Sequence, residues 1–184
     1  MPFNCEIFQK NVELHLPDPL KTELVQACQG YATLTRATEK LQCIREMMAM
    51  LDRGTDAATR RVIMEACSEG CFGKSVIEKA RRHQASAQTL DELLVRLNEA
   101  HIGGGHLQRQ GNAIHATYDR CYCGSVSKSK VPFSATYCGC SCGWYRRLFE
   151  ALLNQPVEVE LLGSIIQGNE NCQFLIHLPE SFQS

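Results

Sequence analysis

Five cysteines fall within 22 residues, in Cys121-Tyr-Cys123-Gly and Cys138-Gly-Cys140-Ser-Cys142-Gly-Trp144. Thiols that alternate with glycine and serine make a poor core segment, because such neighbours fill little volume. A divalent metal needs about four thiolate or imidazole ligands held close together, and thiols two apart reach one ion when the backbone turns through glycine. The 14 residues between the two segments read as a loop closing back to one end of a sheet. The fold must therefore bring Cys121, Cys123, Cys138, Cys140 and Cys142 together, and these five are the expected metal ligands. The spacing matches neither the common zinc-finger pattern nor the usual ferredoxin run. Zinc suits a tetrahedron of thiolates, whereas an iron-sulfur cluster suits thiolate-only ligation shielded by Tyr122, Tyr137 and Trp144.

The chain holds eleven cysteines in 184 residues, and its first sixteen residues carry Glu6 and Glu13 without a long apolar run. That segment reads as neither a signal peptide nor a membrane span, so a cytoplasmic, reducing setting is expected, where thiols serve metal or redox chemistry rather than disulfides. The 19 basic and 20 acidic side chains nearly cancel, which removes the electrostatic reason to bind nucleic acid or an anionic membrane. Cys5, Cys28, Cys43 and Cys172 stand singly among apolar neighbours and read as small hydrophobes of the core. Cys67 and Cys71 are four apart and share a helix face if Ser68-Glu69-Gly70 does not break it. They either complete the metal site or line a cofactor pocket with Trp144, or else pack against the sheet. Of the histidines, His115 leads towards Cys121 and is the best imidazole candidate. No nucleophile elbow, zinc-protease or phosphate-loop pattern is present.

Residues 17 to 99 read as helical. Asp18-Pro19 opens the region, and Leu34, Ala37, Leu41, Ile44, Met48 and Leu51 form one apolar stripe of a single long helix. Helices are expected from Ala57 to Ser68, from Phe72 to Arg82, and after the Thr89-Leu90-Asp91-Glu92 capping box. Gly103-Gly104-Gly105 reads as a flexible connection. Beyond it, His106 to Gln110 and Ala113 to Tyr118 flank a Gly111-Asn112 turn, residues 124 to 136 form a loop, Trp144 to Leu153 is helical, and Val157 to Leu161 and Asn171 to Leu178 alternate as strands. The expected fold is α+β: a helical region over residues 1–102 packed on a cysteine-rich ββαββ domain over 103–184, an antiparallel sheet with one helix, the two forming one compact unit.

The same cysteines allow a second chemistry. Cys142 is expected just before a helix, where free N–H groups and the positive dipole end favour a thiolate. It would then be a nucleophile or redox thiol, with Cys138 or Cys140 as its resolving partner.

Met64-Glu-Ala-Cys67-Ser-Glu-Gly-Cys71, Cys121-Tyr-Cys123, Tyr137-Cys-Gly-Cys140-Ser-Cys142-Gly-Trp144 and the run Phe149 to Glu160 resemble a cysteine-rich family of uncharacterised bacterial and archaeal proteins. The last run, continued through Gly168-Asn-Glu-Asn-Cys172-Gln-Phe174, also resembles the C-terminal part of the 4-vinyl reductase domain and of the L-2-amino-thiazoline-4-carboxylic acid hydrolase-like proteins. The resemblance implies an α+β fold that binds small hydrophobic molecules, with a homodimer as one assembly. It transfers no reaction, and the added Cys-x-Cys pairs depart from the domain's plain form. The leading expectation is a metal- or iron-sulfur-binding protein with a small-molecule pocket, acting as a sensor or binding module. An enzyme acting on a small organic molecule through a cysteine nucleophile or metal, and a structural zinc protein, are the alternatives.

Overall fold

Gly111 closes the first hairpin with a left-handed φ of 57°, so β1 (Leu107–Gln110) folds back on β2 (Ala113–Tyr118) with Gln110 opposite Ala113. In the computed structural model, which describes residues 3–127, 129 and 131–182, β2 also pairs antiparallel with β4 (Cys172–His177), and β4 with β3 (Glu158–Gly163). The order β1-β2-β4-β3 puts the two hairpins side by side through their inner strands. Helix α7 (Gly139–Leu153) lies on one face. The expected α+β class and the ββαββ order are therefore those of the protein. Residues 128 and 130 of the expected 124–136 loop, and residues 1, 2, 183 and 184 at the ends of the two expected regions, lie outside the described residues.

Alternation decides which face is covered. Cys172, Phe174 and Ile176 of β4 are buried while Gln173 and His177 are exposed, the period-two pattern of a half-buried strand. Their inner face meets Tyr145, Leu148, Phe149 and Leu152 of α7 in one apolar core. Each such large side chain contributes roughly 1.5–3 kcal/mol by leaving water. A second core lies among α1 (Cys5–His15), α2 (Leu20–Thr33), α3 (Ala37–Gly54) and α4 (Ala57–Ala66), built on Phe8, Leu24, Met47, Leu51 and Ile63. The loop after β2 adds Val126, Tyr137 and Cys138 to it.

Local departures from the sequence reading have physical causes. The first helix was absent from that reading, yet Asn4 caps it by accepting from Ile7 N–H at 3.1 Å, and Phe8 and Val12 bury its inner face. Of the apolar stripe over 34–51, Ala37 to Leu51 lie on the single helix α3 as expected, and Leu34 alone falls outside it, extended at the end of α2. The Asp18-Pro19 bond is cis, and α2 begins one residue later at Leu20. Helix α4 tightens after Ala66 into a 3-10 turn over Cys67–Gly70, and the next helix, α5 (Lys74–Ala85), starts two residues later than expected. Thr89 caps α6 (Leu90–Glu99) by accepting from Glu92 N–H, and the Glu92 carboxylate reaches back to Gln88 N–H.

The largest shift is at α7, which begins at Gly139 rather than Trp144. Its first turn is pressed against α4. A Cβ at Gly139 would sit 2.8 Å from Met64 Cβ, and one at Gly143 would sit 2.7 Å from Glu65 Cα and closer still to its carbonyl oxygen. Two side-chain-free positions four apart thus let the helices meet at backbone distance, and tertiary contact overrides the poor helix propensity of Gly-Cys-Ser-Cys-Gly. Around the crossing, Glu65 pairs with Arg61 at 2.8 Å and Arg146 at 3.0 Å, and Arg147 donates to Ser68 Oγ at 2.9 Å.

Gly143→Ala is expected to cost about 3 kcal/mol, the upper end of overpacking, because backbone rather than a flexible side chain must yield. Gly30→Ala, in exposed helix with nothing within 4 Å of the added methyl, is expected to gain roughly 0.5–1 kcal/mol. Urea midpoints of the two variants read the contrast.

Candidate functional site

Where β2 ends, the chain runs through Cys121-Tyr122-Cys123 and meets the first turn of α7 and the turn after α4. Three elements each supply one thiol to the same place. Cys71 follows the 3-10 turn, Cys123 follows β2, and Cys140 stands on α7. All three line a pocket of about 210 Å³ whose other walls are Tyr118, Tyr122, Trp144 and His101. The same three thiols, with Cys67 and Met64, also line a cavity of about 20 Å³ behind it, room for a single water. The thiols are therefore a partition between an aromatic pocket and a small enclosed space.

Cys121 interacts with Cys123 and Cys123 with Cys140, and Cys71 is near enough to act on Cys123. The chemistry of this chain favours protons on it. Cys123 is lowered by its bond with Cys121, but the bond with Cys140 and burial outweigh that and push it up to about 12. Cys121 is raised by its bond with Cys123 and by burial, Cys71 by burial. Burial likewise pushes Cys67 up to about 12. Among the described residues, no three His, Cys, Asp or Glu side chains are grouped so as to hold a metal ion as they stand. The arrangement is a chain of thiols, all eleven cysteines being free.

Aromatic packing holds the pocket open. Tyr118 stacks on Tyr145 at 5.6 Å and meets Tyr122 edge-on at 5.2 Å, while Trp144 meets Phe72 and Tyr145 at 5.5 and 5.3 Å. The Tyr145 hydroxyl donates to Gly103 O at 3.0 Å. Gly104 has a φ of 88°, and any Cβ there would enter the Tyr118 ring. The triple glycine expected to be a flexible connection is thus a left-handed turn clamped to the pocket wall.

The five expected ligands separate into two groups. Cys121, Cys123 and Cys140 come together, joined by Cys71 with Cys67 behind. Cys138 is buried in the N-terminal core, against which Cys121, Cys123 and Cys140 also pack, and burial raises its thiol while its Ser164 partner lowers it. Cys142 is in the sheet-side core and opens on a different cleft, of about 510 Å³ between α4 and β3, lined by Arg60, Arg61, Glu65 and Glu158. Helical geometry parts Cys140 from Cys142, since residues two apart on a helix point about 200° apart, and Cys138 lies before α7 at the end of a 3-10 turn. Trp144 is on the pocket wall. His115 sits mid-strand opposite Leu175, and the imidazole that reaches the pocket is His101, which ranks below His115 on the sequence. Tyr118 carries no site expectation in the sequence; a tyrosine at the strand end close to Cys121 is the one signal available.

Comparison with known proteins adds a family. A model for a family of unknown function, DUF6144, matches residues 6–182. No curated protein matches the sequence.

The reading of Cys142 as an activated nucleophile meets an opposing force. Burial, and next the charge of Glu65, push its thiol up to about 12 against the opposing pull of Arg61 and Arg146. At neutral pH its thiolate fraction is about a thousandfold below that of an unperturbed thiol. Time-resolved iodoacetamide labelling of the native protein should find Cys142 among the slowest cysteines, and fast selective labelling there would restore the nucleophile.

Proposed function

We propose, from the premise that this chain belongs to the DUF6144 family, that the protein is a binding module in which a cluster of thiols takes a soft metal ion or an iron-sulfur cluster beside a pocket for a small organic molecule. One observation carries the proposal: Cys71, Cys123 and Cys140, from three separate elements, line both the aromatic pocket and the small cavity behind it. Cys121 interacts with Cys123, and Cys67 lines the small cavity, which supports four or five sulfurs as the donors once the side chains rotate.

The donor set is all sulfur, which selects zinc, copper(I) or iron-sulfur chemistry over magnesium or calcium. Loading turns the chain of thiols into a ring of thiolates by rotation of the cysteine side chains, with release of their protons. Affinity then rises with pH, about tenfold per unit for each proton released below the thiol's own value. The Tyr118, Tyr122 and Trp144 walls offer apolar area and few polar groups, which suits a flat, largely apolar ligand. The resemblance of residues 149–174 to the 4-vinyl reductase and thiazoline hydrolase-like domains belongs to this proposal, since small hydrophobic molecules are what it implies. A reducing, cytoplasmic setting does too, because eleven free thiols survive there. No helix among the described residues is long and apolar enough to cross a membrane.

Elemental analysis and an absorption spectrum of anaerobically purified protein test the reading. About one zinc per chain, or iron with sulfide and a brown solution, is expected. Cys123→Ser and Cys140→Ser should lose the metal, whereas Cys138→Ser and Cys142→Ser should keep it. Metal-free protein after zinc or iron-sulfide reconstitution, or equal loss in all four variants, would contradict it.

A further inference from the structure

A second pair of thiols meets outside the proposed site. Cys5 is the first residue of α1 and Cys28 lies in α2. The Cys5 thiol donates to the Cys28 carbonyl oxygen at 3.8 Å, and the two side chains interact. The Cys5 side chain thus already spans the gap between the two helices. Its surroundings differ from those of the other cysteines. The unpaired N–H groups of a helix start favour a thiolate, and Cys5 is half-buried rather than enclosed. Cys28, by contrast, is 3% exposed and held against Met47, with its sulfur 3.8 Å from the thioether. Cys43 is turned aside, donating to Ala27 O at 3.6 Å.

We propose that Cys5 and Cys28 are a peroxide-responsive dithiol, in which Cys5 is the oxidised thiol and Cys28 resolves it to a disulfide joining α1 to α2. The reactant is a hydroperoxide. The Cys5 sulfur attacks the peroxide O–O bond; an S–O bond forms, the O–O bond breaks, and the leaving oxygen takes up the thiol proton as an alcohol or water. The Cys28 sulfur then attacks the Cys5 sulfenic acid; the S–S bond forms, the S–O bond breaks, and the hydroxide leaves as water with the Cys28 proton. Two thiols lose two electrons, and the peroxide gains them. Burial of Cys28 shields it from direct oxidation while keeping it beside the nascent sulfenic acid. The consequence reaches the pocket wall, because Phe3 and Asn4, just before Cys5, line the cavity behind Cys71, Cys123 and Cys140. The inference rests on α1 and α2 alone and stands whether or not the other thiols hold a metal. The Cys5 thiol is lowered by its Cys28 neighbour, against the opposing effect of burial.

Peptide mapping tests it. Reduced full-length protein, treated with chelator and then with one equivalent of hydrogen peroxide, is alkylated with iodoacetamide and digested with trypsin without reductant. Cys5 lies in the fragment of residues 1–10, Cys28 in 22–36 and Cys43 in 41–45. The expected product is the 1–10 fragment linked to 22–36, unchanged in Cys43→Ala. In Cys28→Ala, dimedone should capture a sulfenic acid at Cys5. Alkyl label on both Cys5 and Cys28 at a dose that oxidises other cysteines would overturn the proposal, as would a link through Cys43 in the wild-type protein.

Discussion

Helix α7 rests on α4 through two positions that carry no side chain, Gly139 over Met64 and Gly143 over the backbone of Glu65. A methyl group at either would push the helices apart, and the thiol partition depends on their staying together. The turn after α4 delivers Cys67 and Cys71, and the first turn of α7 delivers Cys140. The β2 end joins them because α7 also covers the sheet, where Tyr145 stacks on Tyr118 and bonds Gly103. Around the crossing, Glu65 is held by two arginines and only 10% of its side chain is exposed. Leaving such a carboxylate without partners costs about 3–5 kcal/mol, so the ion pairs fix how α7 sits on α4.

Burial is what separates the cysteines chemically. A thiol in a low-dielectric setting holds its proton, because the thiolate loses its hydration. Cys67, Cys123 and Cys142 are all pushed up to about 12, yet they differ in what stands next to them. Cys142 has carboxylate and guanidinium neighbours, Glu65, Arg61 and Arg146. Cys123 has a thiol partner on either side, Cys121 and Cys140, the arrangement on which the proposed metal site draws. The desolvation that makes a single buried thiolate costly is the same term that makes a metal attractive to several of them, since one ion offsets the charge of all.

How far the fold was legible follows from where local pattern and tertiary contact agree. The Gly111-Asn112 hairpin, the Thr89 cap and the alternating β3 and β4 strands were all readable because short-range chemistry and the final packing point the same way. The Cys138 to Cys142 run was not. Its alternation suggested thiols converging on one ion, but contact with α4 winds Gly139 onward into helix, and helix turns Cys140 to the pocket and Cys142 to the cleft at β3. The same contact raises Cys71 from a secondary candidate to the centre of the cluster. The first helix went unread because its apolar face is carried by few residues, Phe8 and Val12 chief among them. The triple glycine was misread as slack because its composition cannot reveal the Tyr118 ring pressed against Gly104.

The central claim is that sulfurs from three elements share one centre. X-ray absorption at the metal edge of the anaerobically loaded protein measures that directly, since it reads the ligand atoms and their distances. A first shell of sulfur alone is expected, near 2.3 Å if the metal is zinc, and in Cys140→Ser the sulfur count should fall while remaining intact in Cys142→Ser. A shell dominated by nitrogen or oxygen in the wild-type protein, or a sulfur shell that disappears only on replacing Cys138 or Cys142, would contradict it.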